Sequence, residues 1–172
     1  MSYTIRPVAP ADAAHLAAIY APYVEQTAVS FEYVAPDVAE FARRIAGITE
    51  HYPYFVAVDD ATGLPVAYAY AHALHERAAF QHCAEASVYV HPQHHGRGLA
   101  RGLYAQLEDA LRKQGVRQLY ACITAVRHSD PYVTSASIDA HHALGFETVG
   151  RFDACGYKFG RWYDVEWLRK IL

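Results

Sequence analysis

Gln93-His94-His95-Gly96-Arg97-Gly98 lies between an apolar run, Glu85–His91, and a longer amphipathic stretch, 98–114. The first run has the length and composition of a buried strand. In the second, Leu99, Leu103, Leu107, Ala110 and Leu111 recur at helical spacing, and Gly115 follows as a natural helix stop. A strand that turns through two glycines into a helix leaves the first helical amides unpaired and pointing outward. Downstream, 119–124 reads as a strand, 134–144 as a helix closed by Gly145, and 146–151 and 156–167 as the last strands. Upstream, 3–8 reads as a strand, and Pro10 with Asp12 as N-cap opens a helix whose apolar face is Leu16, Ile19 and Tyr20. Pro22 is expected to disturb or end that helix. A second helix, 37–48, carries Val38, Phe41, Ile45 and Ile48. Strands 54–58 and 66–71, joined by the turn Asp59–Gly63, form a hairpin, and 72–82 reads as a loop. The order predicts an α/β fold built on a central mixed β-sheet flanked by helices.

Length and composition set limits on function. The 172 residues, 53% hydrophobic and 19% charged, suit one globular domain over residues 1–172. Lysine plus arginine number 15 against 18 acids, a net charge of −3, which gives no global attraction to nucleic acid or to an anionic membrane. Charged residues interrupt each apolar stretch before it reaches membrane-spanning length. Cys83, Cys122 and Cys155 form no CxxC pair and no disulfide framework, and Met1–Arg6 reads as neither a signal nor a transit peptide. A soluble, cytoplasmic protein is expected.

An anionic ligand must then be held locally. The turn at 93–98 suits a phosphate, through helix-start amides and the helix dipole, with Arg97 and Arg101 adding charge. A P-loop would need a lysine after its second glycine, and none is present. A dinucleotide fingerprint would need G-x-G-x-x-G, whereas Gly96, Gly98 and Gly102 are spaced G-x-G-x-x-x-G. His91, His94 and His95 have no cysteine or carboxylate completing a metal site, and no metal is expected.

The pattern Q-x-x-G-x-G after a strand resembles the acetyl-CoA loop of the GCN5-related N-acetyltransferase (GNAT) superfamily. The resemblance extends to Ile5-Arg6-Pro7, Ser30-Phe31-Glu32, Val66-Ala67-Tyr68 and the segments 85–90, 141–146 and 156–164. Within that superfamily these blocks are similar to the phosphinothricin and methionine-sulfone acetyltransferases. The resemblance implies acetyl-CoA as co-substrate and direct attack of a small amino-acid-like amine on the thioester, with no acyl-enzyme. It implies that Val88, Tyr89 and Val90 offer backbone groups to the acetyl and pantetheine moieties. Gln93, His95, Gly96, Arg97, Gly98, Leu99, Ala100 and Arg101 would hold the pyrophosphate.

Glu85 matches the family's general base, and His141 takes the place of a tyrosine that protonates the leaving thiolate in many relatives. Thr134 stands where many relatives carry a cofactor-binding asparagine, and equally suits an N-cap; Ser137, one turn further on, is expected to bind the cofactor. Arg77 matches an arginine that clamps the substrate's acid group, and Phe31 and Glu32 match an entrance segment. His75 or Glu76 stands where the herbicide-resistance enzymes have a lysine. Tyr68, Phe80 and Trp162 are expected as pocket walls, and a homodimer is expected from the family. Two other readings use the same fold: a peptide N-terminal acetyltransferase and a non-catalytic acyl-CoA-binding domain.

Overall fold

The computed structural model describes residues 2–172. In chain order these form β1 (Tyr3–Pro7), α1 (Ala13–Gln26), α2 (Val38–Thr49), β2 (Tyr54–Asp59), β3 (Leu64–Ala73), β4 (Cys83–Val90), α3 (Leu99–Lys113), β5 (Gln118–Ala125), α4 (Ala136–Ala143), β6 (Glu147–Lys158) and β7 (Arg161–Ile171). The strands make one mixed sheet in the order β1-β2-β3-β4-β5-β7-β6. Its neighbours are antiparallel except β4 and β5, which run parallel.

Strand alternation divides the core in two. Ala84, Ala86, Val88 and Val90 face α3, whose Leu99, Leu103, Leu107 and Leu111 are buried against them. Each such leucine contributes about 2 kcal/mol of burial. Tyr54, Val56, Tyr68 and Tyr89 face the other way, under α1 and α2. The pairing of β4 with β5 positions the site. It covers only Cys83–Glu85 against Gln118–Tyr120, after which the two strands part. A cleft opens between Ala86–Tyr89 and Ala121–Thr124.

Several expectations need correction. The helix α1 continues through Pro22 to Gln26, because Ile19, Tyr20 and Val24 bury one continuous face around it; the missing N–H removes one bond without ending the winding. Asp12 does not cap α1 with its side chain. Its carboxylate instead takes the Arg6 guanidinium at 2.8 Å and the Ala9 amide at 2.8 Å, so it ties β1 to the start of the helix. The helix α2 is capped as its sequence suggests, Asp37 accepting from the Glu40 amide at 2.8 Å, but Val38 is half exposed. The segment 72–82 is less irregular than expected: β3 runs to Ala73 and Ala78–Phe80 forms a 3-10 turn. The helix α4 begins at Ala136, two residues after Thr134.

The last strands depart most from expectation. The stretch 156–167 is not one strand but two, turned at Phe159-Gly160. Both turn residues have positive φ, +50° and +73°, and Lys158 pairs with Arg161. That is a two-residue hairpin of the type whose twist matches its strands. Further back, β6 skips register between Phe152 and Gly156. Asp164 holds the bulge by accepting from Arg127, Arg151 and the Ala154 amide. The Arg127 and Arg151 bonds keep its carboxyl well below the usual carboxylate range.

Candidate functional site

The turn expected to bind phosphate opens α3 at the mouth of the cleft. Gly96 and Gly98 both sit in the left-handed region, at φ +73° and +75°, and a Cβ at either would meet nothing within 4 Å. The glycines are thus required by backbone conformation, and the backbone there is open to a ligand. The mouth encloses about 450 Å³ and is lined in part by Gly96–Ala100. A narrower inner part, about 50 Å³, reaches between β4 and β5 towards His141. Among the described residues, only Val29, Val88 and Ser137 line both parts.

The predicted cofactor residues divide by position. Val88, Val90, His95, Gly96, Arg97, Gly98, Leu99, Ala100, Thr134 and Ser137 line the mouth, and Tyr89 lines the inner part. Gln93 and Arg101 line neither. Gln93 serves the turn itself, its amide donating to His91 Nδ1 and its carbonyl accepting from Arg97 at 3.0 Å. The Arg97 guanidinium also donates to the Tyr3 hydroxyl at 2.6 Å, bracing the turn against β1. The His95 ring is likewise engaged, 3.0 Å from the Val90 carbonyl and 2.8 Å from the Tyr23 hydroxyl. Thr134 Oγ1 accepts from the Ala136 amide at 3.3 Å, joining a loop-to-helix turn.

On the other face of β4 stands Glu85, at the point where β4 and β5 part. His72 lies across from it on β3, Nε2 to Oε1 at 3.9 Å. Burial pushes the Glu85 carboxyl above the ordinary glutamate value, and His72 offsets part of the rise. Cys122 lines the inner cleft, and burial, helped by the Glu85 charge, pushes its thiol up to about 12. Glu85 itself lines neither part of the cleft.

His141 is 5% exposed. Its Nδ1 lies 2.7 Å from the Ser137 carbonyl and its Nε2 2.8 Å from the Tyr104 hydroxyl. Burial pushes its pKa down. Tyr104 escaped the sequence reading because a buried tyrosine at a core helical position looks like packing alone.

The substrate-side residues come together less completely. Phe31 packs on β6 so closely that a Cβ on Gly156 would meet its ring at 2.3 Å. The Glu32 carboxylate is engaged by Arg44, at 2.8 and 3.1 Å, and by the Tyr20 hydroxyl at 2.9 Å. Arg77 is exposed in the β3–β4 loop, where its amide donates to His75 Nδ1 and the His75 ring stacks on Phe80 at 4.9 Å. Of the expected walls, Tyr68 is buried in the core and Trp162 is 66% exposed on the β6–β7 hairpin. Lys158 is a further residue that the sequence reading missed. It is 2% exposed, and its ammonium donates to the carbonyls of Val24, Thr27 and Ser30 at 2.6, 2.9 and 2.6 Å.

A family model described as an acetyltransferase (GNAT) domain matches residues 5–167. The chain is 35% identical over 170 residues to a phosphinothricin N-acetyltransferase of Alcaligenes faecalis, covering 98% of this chain and 82% of that protein. It is 35% identical over 116 residues to an L-methionine sulfoximine/L-methionine sulfone acetyltransferase of Salmonella typhimurium, covering 67% and 64%. A crystal structure of a phosphinothricin acetyltransferase from Sinorhizobium meliloti in complex with AcCoA superposes with a TM-score of 0.89 at 35% identity, covering 100% of this chain and 89% of that one.

Proposed function

Because this chain belongs to the GNAT acetyltransferase family, we propose that it transfers acetyl from acetyl-CoA to the primary amine of a small amino-acid-like substrate. The observation that carries this reading is the cleft that runs from the glycine turn at 96–98 to the parting of β4 and β5 at Ala86 and Ala121, immediately past Glu85, which itself lines neither part. The open amides at the start of α3 suit the pyrophosphate, and the cleft along Val88–Val90 suits an extended pantetheine arm. Acetyl-CoA supplies an activated acyl group. The protein's part is to orient it, exclude water and accept a proton.

A primary amine near neutral pH is mostly protonated. Glu85, with a carboxyl raised by burial, is placed to take that proton as the amine attacks directly. Phosphinothricin and methionine sulfone or sulfoximine combine an α-amine and a carboxylate with a second tetrahedral polar group. The exposed Arg77 guanidinium, in the loop next to the strands that carry His72 and Glu85, suits such oxygens. Phe31, held on Gly156, would form the apolar side of the entrance. Acetyl-CoA as donor is consistent with a cytoplasmic location.

The test is CoA release from acetyl-CoA over a panel of amino acids, phosphinothricin, methionine sulfone, polyamines and short peptides. Selective turnover of an amino acid or analogue is expected, and Arg77→Ala should raise its KM by about tenfold or more with little change in acetyl-CoA affinity. Turnover of peptides alone would replace the small-molecule assignment. A homodimer is part of the same proposal, since the edge strand β6 and its hairpin expose Phe152, Tyr157 and Trp162. Sedimentation should give twice the chain mass, and a monomer at all concentrations would remove the dimer.

A further inference from the structure

We propose that Gly156 is a specificity-determining residue: its missing side chain sets where the Phe31 ring sits, and so how long an amine side chain the cleft admits. This selection acts within the acetyl transfer argued above, on which it rests.

Glycine is needed at 156 for space rather than for backbone shape. Six glycines of the chain have positive φ, and Gly156 is not among them. A Cβ at 156 would meet the Phe31 ring at 2.3, 2.5 and 2.8 Å, in each case at its far end, Cζ, Cε2 and Cε1. Among the described residues, a Cβ built on any other glycine comes under 3.0 Å only at Gly102, against Ile5.

Faced with a side chain at 156, either β6 or the ring must give way, and the structure holds the strand. The Tyr33 hydroxyl donates to the Tyr157 carbonyl at 2.7 Å, and the Lys158 ammonium donates to the carbonyls of Val24, Thr27 and Ser30. These bonds fasten 157–158 to the chain on both sides of Phe31, while Gly156 stays paired with Tyr163 across the hairpin. The Phe31 ring has no such bonds and turns about its own side-chain torsions.

The direction left to the ring is inward. Phe31 packs in one apolar cluster with Ala28, Val29, Val133 and Tyr163. Gly156 lies on one side of it, and the Tyr163 ring stands 6.2 Å away on β7. Val29 and Val133 are walls of the inner cleft, which encloses only about 50 Å³, and Phe31 itself lines neither part. The ring is therefore parked behind the wall, on the surface that Gly156 leaves bare. Restoring ordinary carbon–carbon contact with a Cβ at 156 would shift it by about 1–1.5 Å towards Val29 and Val133. In so narrow a space the side chain of the amine is what loses room. The wild-type arrangement accordingly favours amino acids with an extended side chain, of methionine-sulfone length, over compact ones such as alanine.

Gly156→Ala, Phe31→Leu and the two together test this, since leucine lacks the three ring atoms that the new Cβ would meet. The first readout is kcat/KM for the longest and the most compact amino acids that the wild type acetylates, methionine sulfone and alanine being the expected pair. Gly156→Ala should lower the long-to-compact ratio by about tenfold or more, through KM, and the double variant should recover most of it. The second readout is melting temperature, which needs no turnover. Gly156→Ala should melt roughly 3–10 °C lower, and adding Phe31→Leu should return part of that loss instead of deepening it. An unchanged ratio in Gly156→Ala, or a lowered ratio that Phe31→Leu does not recover, would overturn the selection while leaving acetyl transfer standing. Additive melting losses would overturn the steric coupling itself. A wild type that acetylates no amine, with the melting losses still coupled, would overturn acetyl transfer and the selection with it.

Discussion

Glu85→Gln is expected to lower kcat by about 10²- to 10⁴-fold while acetyl-CoA binding is kept. The amide preserves shape and can still bond the amine, so what is removed is the capacity to take a proton. The active form of Glu85 is the carboxylate, and burial raises the pH at which it forms. Activity of the wild type should therefore fall as pH drops through that raised value, on an acid limb above the ordinary glutamate range. In Glu85→Gln the residual rate should lack that limb. Linkage supplies an independent check. A carboxyl whose folded pKa is raised favours the fold at low pH, and that contribution is lost as pH rises through the folded pKa. Above that range the variant should melt no lower than the wild type, which separates lost chemistry from lost folding. A kcat/KM profile for Glu85→Gln that superposes on the wild type would remove Glu85 as the base.

Legibility of the sequence followed the distance over which each feature is determined. The glycine turn was readable because its requirements are local: positive φ at Gly96 and Gly98 and an amphipathic helix after them. The α2 cap at Asp37 and the β2–β3 hairpin were readable for the same reason. The mixed sheet and the helices on both faces also agree with expectation. The turn at Phe159-Gly160 was missed because phenylalanine is a poor marker of positive φ, and because the flanking aromatics continue one apolar pattern through the reversal. Pro22 misled in the opposite direction, its local penalty being outweighed by tertiary burial of Ile19, Tyr20 and Val24. At the site, strand alternation and resemblance point to positions, but not to how side chains at those positions are engaged. Arg97 and Glu32 were read as ligand groups, and the structure bonds the first to Tyr3 and Gln93 and the second to Arg44 and Tyr20. Tyr104 and Lys158 meet their partners across 37 and up to 134 residues of sequence. No periodicity spans such separations.

Lys158→Met should lower the melting temperature by roughly 5–15 °C, corresponding to about 2–4 kcal/mol for a chain of this size. The last carbonyls of α1 have no partner within the helix. Lys158 supplies one to Val24 and two more to Thr27 and Ser30, in a setting dry enough that burial pulls its ammonium pKa down. Methionine fills nearly the same volume, so the loss measures the three charged hydrogen bonds rather than a cavity. The same segment is fastened elsewhere, by Thr124 to the Ala28 carbonyl and by the Ala28 amide to Tyr132 at 3.0 Å. The fold should therefore survive the substitution. The consequence for function follows from what the segment carries: Val29 in the cleft wall, then Phe31, seated on Gly156 two residues before Lys158. Loosening this connection should raise the KM for the amine several-fold at temperatures where the variant remains folded. A variant that melts with the wild type would show that water replaces the ammonium at no cost. A variant that melts early but keeps the wild-type KM would confine Lys158 to stability and detach the entrance segment from the recognition of substrate.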